Sequence, residues 1–425
     1  MRAALGLVIA LAACGGSRDV QSTGSATTTT PAPPPTPAPA PTPTPAPEPE
    51  PPKPAPPPAP VGQDFIDDAK ALYRIVGCEG GALPAAYSDP KFQTVVDKHC
   101  KAIHKDVEKY RAEYFGKARQ WFADKVPADA TQLVYLFSGA DLLSALVAFP
   151  NATEITTMSL ELAGDPRPYA KLTPAELERD LAAYRVEQGL LIQVGSNSSK
   201  NLSKQQRRYL PGQVSSFLLA MAIGGYEPVA MRFFKIQPDG TLHYFTREEI
   251  DADVTPTSQL RATWNKPTFT ESFRHSEIQY RKIGDTTVRT HRHIAWNVED
   301  KYLAEHGDVL KHLTAKGKVF MMVKGGSYLL WLSNFKTIRG YILGNLKWML
   351  SDSTGPAPTH AKPAGMIQEG YGKYTGPVDE IKVVEGTRED LDMKALFARP
   401  AGPMPFRFGY LDKNNNKHVL ITRPK

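Results

Sequence analysis

The chain has 425 residues, 41% of them hydrophobic and 22% charged, and a formal net charge of +7. This is ordinary globular composition, with length for one large or two medium cores. The cations Lys101, Lys105, Lys109, Arg111, Lys117 and Arg119 alternate with Asp106, Glu108 and Glu113, the pattern of a solvated helix face, so no nucleic-acid partner is expected.

The first predicted element is an export signal. Arg2 precedes an unbroken apolar run, Ala3 to Ala13, which is shorter than the roughly 20 residues that span a bilayer and has the length of a secretory signal. Its ending, Leu11-Ala12-Ala13-Cys14-Gly15, resembles the lipobox of bacterial lipoproteins. The resemblance implies a signal peptide over 1–13 and acyl chains on the Cys14 thiol, so the lipid bilayer is the first expected partner. In those lipoproteins an aspartate after the cysteine favours the inner membrane. Gly15 in that place implies the outer membrane, with the domain in the periplasm or at the cell surface. Residues 14–61 are a Pro/Thr-rich tether, and residues 31–60 hold 18 of the 38 prolines. Proline fixes φ and removes the amide donor, so extended polyproline II is expected, reaching on the order of 90 Å.

Cys78 and Cys100 are the remaining cysteines, and in an exported chain they are expected to pair as a disulfide. A metal site with His99 or His104 is the alternative, but no second pair stands at ligand spacing, and neither metal nor cofactor is expected. Apolar residues recur at helical spacing at Phe65, Ile66, Ala69, Leu72, Tyr73 and Val76, and again from Ile103 to Phe122, with Pro127 closing the second stretch. Residues 62–127 thus form a helical, disulfide-stapled extension to an α/β domain over 128–425. In that domain Leu133–Phe137 is a strand ending at Ser138-Gly139-Ala140-Asp141. Leu142–Phe149 is a helix stopped by Pro150, and Glu154–Glu161 is a second strand. Such a βαβ unit wants parallel pairing. Downstream the spacing predicts helices over 175–188 and 214–223, and hairpins around Pro238-Asp239-Gly240 and Gly284-Asp285. A helix over 301–314, a buried strand over 319–323, a long helix over 334–350 and late strands follow. The fold class is α/β, a Rossmann-like core with inserted antiparallel hairpins; α+β is the alternative if the hairpins form their own sheet.

The segment Val134–Asp141 with Ser159-Leu160-Glu161 resembles uncharacterised exported and lipid-anchored bacterial proteins that carry a Tyr-Pro-Phe-Ser-Gly-Pro-Asp block followed by a Leu-Glu block. Met322–Leu329 and Leu350–Gly355 are similar to two further blocks. Leu136 stands where those proteins have proline, and their Asp-Asp-Ser-Gly reads Ser351-Asp352-Ser353-Thr354-Gly355 here. The resemblance implies a shared fold and carries no known activity.

The ligand-site candidates are Ser138, Asp141, Glu161, Lys324 and Asp352. In nucleotide-binding βαβ units the first turn admits a ligand to the helix N-terminus, and an acid after the second strand receives a hydroxyl. Ser-Gly-Ala-Asp is not Gly-x-Gly-x-x-Gly, however, and Asp141 also sits where an N-cap belongs. As a strand-end acid, Glu161 is expected to be solvated. Lys324-Gly325-Gly326-Ser327 lacks the P-loop pattern and reads as a turn leaving a sheet edge. Asp352 and Ser353 read as turn residues closing the long helix. Ser138 is outside any Gly-x-Ser-x-Gly elbow, and sequence does not choose a base among His243, His275, His291 and His360. His291 and His293 would share one strand face, as a metal pair would, with no third ligand at spacing. Two functions stay open. One is a non-catalytic envelope lipoprotein that binds a protein or glycan partner or has a structural role; the other is an enzyme or ligand-binding protein using the crevice near Ser138, Asp141 and Glu161.

Overall fold

Helical spacing after residue 64 is realised as α1 (Ile66–Gly77), α2 (Pro90–Tyr110) and α3 (Gly116–Lys125) in the computed structural model. The structure describes residues 62–194, 202, 210–257, 267–410 and 417–425; the expected signal peptide, Cys14 and the expected tether lie outside the described residues. Asp89 caps α2 by accepting from the Lys91 amide, and Pro90 takes the first helical position, where an amide hydrogen would be idle. The Cys78–Cys100 disulfide is formed and ties the end of α1 to α2.

The predicted βαβ unit is present as β1 (Gln132–Leu136), α4 (Leu142–Ala148) and β2 (Glu154–Ser159), with β1 and β2 parallel and Leu133 opposite Ile155. Next come α5 (Pro174–Gly189), α6 (Gly212–Gly224), β3 (Tyr226–Ile236), β4 (Leu242–Tyr244), α7 (Arg247–Ala252), β5 (His275–Lys282) and β6 (Arg289–Ala295). Both hairpins join the same sheet as the βαβ unit, so α/β holds and a separate hairpin sheet does not form. The remaining elements are α8 (Asp300–Glu305), α9 (Asp308–Thr314), β7 (Val319–Val323), α10 (Lys336–Asn345), β8 (Leu346–Ser351), α11 (Pro358–Ala361), β9 (Met366–Gly372), α12 (Arg388–Phe397) and β10 (His418–Pro424).

Ten strands run in the order β4-β3-β5-β6-β2-β1-β7-β8-β10-β9. The centre, β6 to β8, is parallel, and both flanks are antiparallel. Helices α1 to α6 cover one face, packing Leu72, Ile103, Phe122, Leu146 and Phe217 on Leu133, Tyr135 and Met322. Helices α8, α9, α10 and α12 cover the other, against Val134, Leu136, Met321 and Val323. Burial on both faces explains why β1 and β7 are continuous apolar runs without alternation. The helical region and the sheet share a core and belong to one unit, Pro60–Lys425. No helix among the described residues is long and apolar enough to cross a membrane.

Three expectations are corrected. The long helix over 334–350 stops at Asn345, and Leu346–Ser351 is the strand β8, with Phe320 opposite Trp348. A short apolar run suits a buried strand and a buried helix equally, and Gly344-Asn345 was the stop signal that separated them. The helix expected over 301–314 is two helices, broken at His306-Gly307. Lys324-Gly325-Gly326-Ser327 does not leave a sheet edge, since β7 lies between β1 and β8.

The chain passes from β1 through α4 toward β2, and from β7 through α10 the opposite way toward β8. Strand order therefore reverses between β1 and β7. The carboxyl ends of these two strands mark a topological switch point, the place where open α/β sheets bind ligands.

Candidate functional site

Two candidates, one from each side of the switch point, meet there. Asp141 caps α4, its Oδ1 accepting from the Ser144 amide at 3.0 Å. Its Oδ2 accepts from the Tyr135 hydroxyl at 3.1 Å and from Lys324 Nζ at 2.6 Å. Lys324 also donates to Ser144 Oγ at 2.7 Å, and its ammonium lies 5.6 Å from the centre of the Phe408 ring. The two charged side chains are only 4% and 10% exposed. Burial, and after it the Asp141 charge, pushes the Tyr135 hydroxyl far above its ordinary pKa. A hollow of about 10 Å³, room for one water molecule, lies beside Lys324 among Tyr114, Ile192, Arg407 and Phe408.

Asp352 stands one strand further along, after β8 and not after a helix. Its carboxylate accepts from the Gly325 amide at 2.8 Å and the Thr354 amide at 2.9 Å. The Gly326 amide donates to Thr354 Oγ1 at 2.9 Å, and the Ser327 amide to the Tyr410 hydroxyl at 2.8 Å. Tyr410 in turn donates to the Gly325 carbonyl at 2.7 Å. Consecutive amides in such a turn form a nest that suits an anion. Here the chain satisfies these amides itself, the Gly325 amide with the buried carboxylate of Asp352 and the next two with hydroxyls. Gly409 leaves the carboxylate room: its φ is +81°, and a Cβ there would come within 2.4 Å of Asp352 Oδ2.

Ser138 and Glu161 are not part of this arrangement. The Ser138 hydroxyl is placed to donate to the carbonyls of Gly139 and Met158, both at 3.3 Å, and no histidine partners it among the described residues. Glu161 is fully buried, which corrects the solvated rim acid expected from sequence, and no bond joins it to Ser138, Asp141 or Lys324 among the described residues. The chain leaves β2 at Ser159 and folds inward under α6, as the bonds from the Gln213 amide to the Leu162 carbonyl and from the Val214 amide to the Ala163 carbonyl show.

His291 and His293 do share one strand face, and both are buried. The Thr157 hydroxyl links them, 2.9 Å from His291 Nε2 and 3.1 Å from His293 Nδ1, while His293 Nε2 reaches the Glu161 carbonyl at 2.7 Å. This chain of bonds places the ring proton of each histidine on Nε2, with Thr157 donating to His293. Burial lowers the His293 pKa to about 4. Among the described residues no group of three or more His, Cys, Asp or Glu side chains could hold a metal.

Sequence reasoning missed Tyr135, Ser144, Thr354, Gly409 and Tyr410. Ser144 carried a signal, since it stands three residues after the capping Asp141, where a cap's first amide partner belongs. Tyr410 carried none, because its contact with Ser327 crosses 83 residues.

The chain matches no protein-family model, and no curated protein and no solved structure matches it.

Proposed function

We propose that this chain is a lipid-anchored lipoprotein of the bacterial envelope whose folded domain has a non-catalytic role, in binding or in structure. The observation that carries the domain's part is that the switch-point crevice is filled by the chain's own groups. Asp141 takes the Lys324 charge, and the glycine-turn amides are taken by the Asp352 carboxylate and the hydroxyls of Thr354 and Tyr410. An ammonium held in an ion pair has no lone pair with which to deprotonate Ser144, and amides already bonded do not stabilise a developing anion. The anchor rests on Arg2, the Ala3–Ala13 run and the ending at Cys14. Pairing of Cys78 with Cys100 suits an oxidising compartment.

Cys14→Ser tests the anchor. Metabolic labelling with a fatty-acid analogue should mark the wild-type chain and not the variant, which should also leave the membrane fraction. A variant that still takes up label overturns the lipoprotein reading.

A second reading, a ligand site in the crevice, is favoured by one set of observations. Three non-glycine residues in the switch-point loops, Phe137, Ser327 and Tyr328, have φ between +51° and +57°. Two π-helical turns, Arg111–Phe115 and Leu190–Val194, bring Tyr114, Leu191 and Ile192 to the hollow. Strained backbone and π-turns gather at functional sites. A thermal-shift screen of the full-length protein against envelope metabolites and glycans decides between the two. A compound that raises the melting temperature of the wild type and not of Lys324→Met would replace the non-catalytic reading with this one.

A further inference from the structure

Beyond the end of β2, away from the switch point, lie buried polar side chains that no described residue satisfies. Glu161 is fully buried, and neither carboxylate oxygen has a hydrogen-bond partner among the described residues. Gln213, in the first turn of α6, is also fully buried, with both its amide nitrogen and its amide oxygen unpartnered. The two belong to one place. The Gln213 backbone amide donates to the carbonyl of Leu162, next to Glu161, at 3.4 Å. Phe217, one turn along the same helix face, lies 5.0 Å from the His293 ring, and His293 bonds the Glu161 carbonyl. Ser276 pairs with His293 across β5 and β6, and its buried hydroxyl is unpartnered too.

A carboxylate, a carboxamide oxygen and a hydroxyl are hard oxygen donors, the set that suits alkali and alkaline-earth ions. Burying a carboxylate uncompensated is far costlier than burying a neutral polar group, so only a cation beside it would let a carboxylate here stay ionised. Divalent calcium sites gather several carboxylates. Here there is a single acid, and no group of three or more acidic, histidine or cysteine side chains among the described residues. We infer that Glu161, with Gln213 and Ser276, forms a binding site for one monovalent alkali cation, Na⁺ or K⁺, clamped between the end of β2 and the first turn of α6. The site stands apart from the switch-point crevice and does not depend on how that crevice is used.

The test is thermal unfolding of the full-length protein in sodium, potassium or choline chloride at equal ionic strength, which separates site binding from screening. The melting temperature should rise with sodium or potassium concentration, by on the order of several degrees over choline. The rise should vanish in Glu161→Gln and need a several-fold higher salt concentration in Gln213→Leu. Should Glu161→Gln fail to fold, Gln213→Leu carries the comparison. Equal melting of the wild type in all three salts overturns the site, leaving a proton or ordered water to satisfy Glu161. A cation effect undiminished in both variants overturns it equally, because the ion is then bound elsewhere.

Discussion

Lys324 and Asp141 illustrate how a residue's meaning changes once its partners are known. As an N-cap alone, Asp141 would tolerate asparagine, which caps as well. With the buried Lys324 ammonium 2.6 Å away, Asp141→Asn leaves an uncompensated charge inside the protein. Either Asp141→Asn or Lys324→Met should therefore lower unfolding stability by about 3–5 kcal/mol, measured by urea denaturation. Gly409→Ala should cost about 2 kcal/mol or more in the same assay, because alanine is strained at φ +81° and its Cβ would meet the Asp352 carboxylate. The buried histidines set a pH dependence. Burial lowers His99 and His293 to about 4, and His275 and His291 well below the ordinary value. A folded-state pKa below the unfolded one means that the unfolded chain binds more protons. The stability these groups contribute is complete above about pH 6.5 and is lost as pH falls toward 4, by up to roughly 3 kcal/mol for His293. Urea midpoints should fall over this window, with a shallower slope in His293→Gln; parallel slopes in the two proteins would remove His293 from the account.

At the scale of elements, the disulfide closes a loop with a sequence separation of 22 residues between the end of α1 and α2. Its loss in a Cys78→Ala/Cys100→Ala variant should cost about 3 kcal/mol in the chain-entropy picture, read as a lower melting temperature. Mass analysis of the protein under non-reducing conditions should find no free thiol at either position. The elements themselves were legible where local signals agreed. Pro127, Asp141 and Pro150 marked helix ends, and the Asp239-Gly240 and Gly284-Asp285 turns marked hairpins whose strands pair antiparallel. They were illegible where an apolar run suits two periods at once. Leu346–Ser351 reads as helix until its pairing with β7 and β10 is known. Helix α6 reads simply as apolar, and only its place between α1, α4 and the sheet explains why residues 212–223 are all buried.

At the scale of the whole molecule, the N-terminal helices complete the core of one sheet face, with Trp121 of α3 5.2 Å from Tyr371 of β9. A chain truncated to begin at residue 128 would expose that face, and it should aggregate or show no cooperative melt by circular dichroism. A cooperative melt would make the helices a separable module. The sequence by itself determined the α/β class, the parallel β1–β2 pair, the cysteine pairing and the place of Asp141 as a cap. Each of these depends on residues close in the chain or on a simple inventory. Only the tertiary structure decided that Lys324 neutralises Asp141, that Asp352 takes the Gly325 amide, that Tyr410 takes the Ser327 amide and that Glu161 is buried under α6. Those four outcomes join residues distant in the chain that only the fold brings together, and the charge balance of a buried group is set by whichever neighbours the fold delivers.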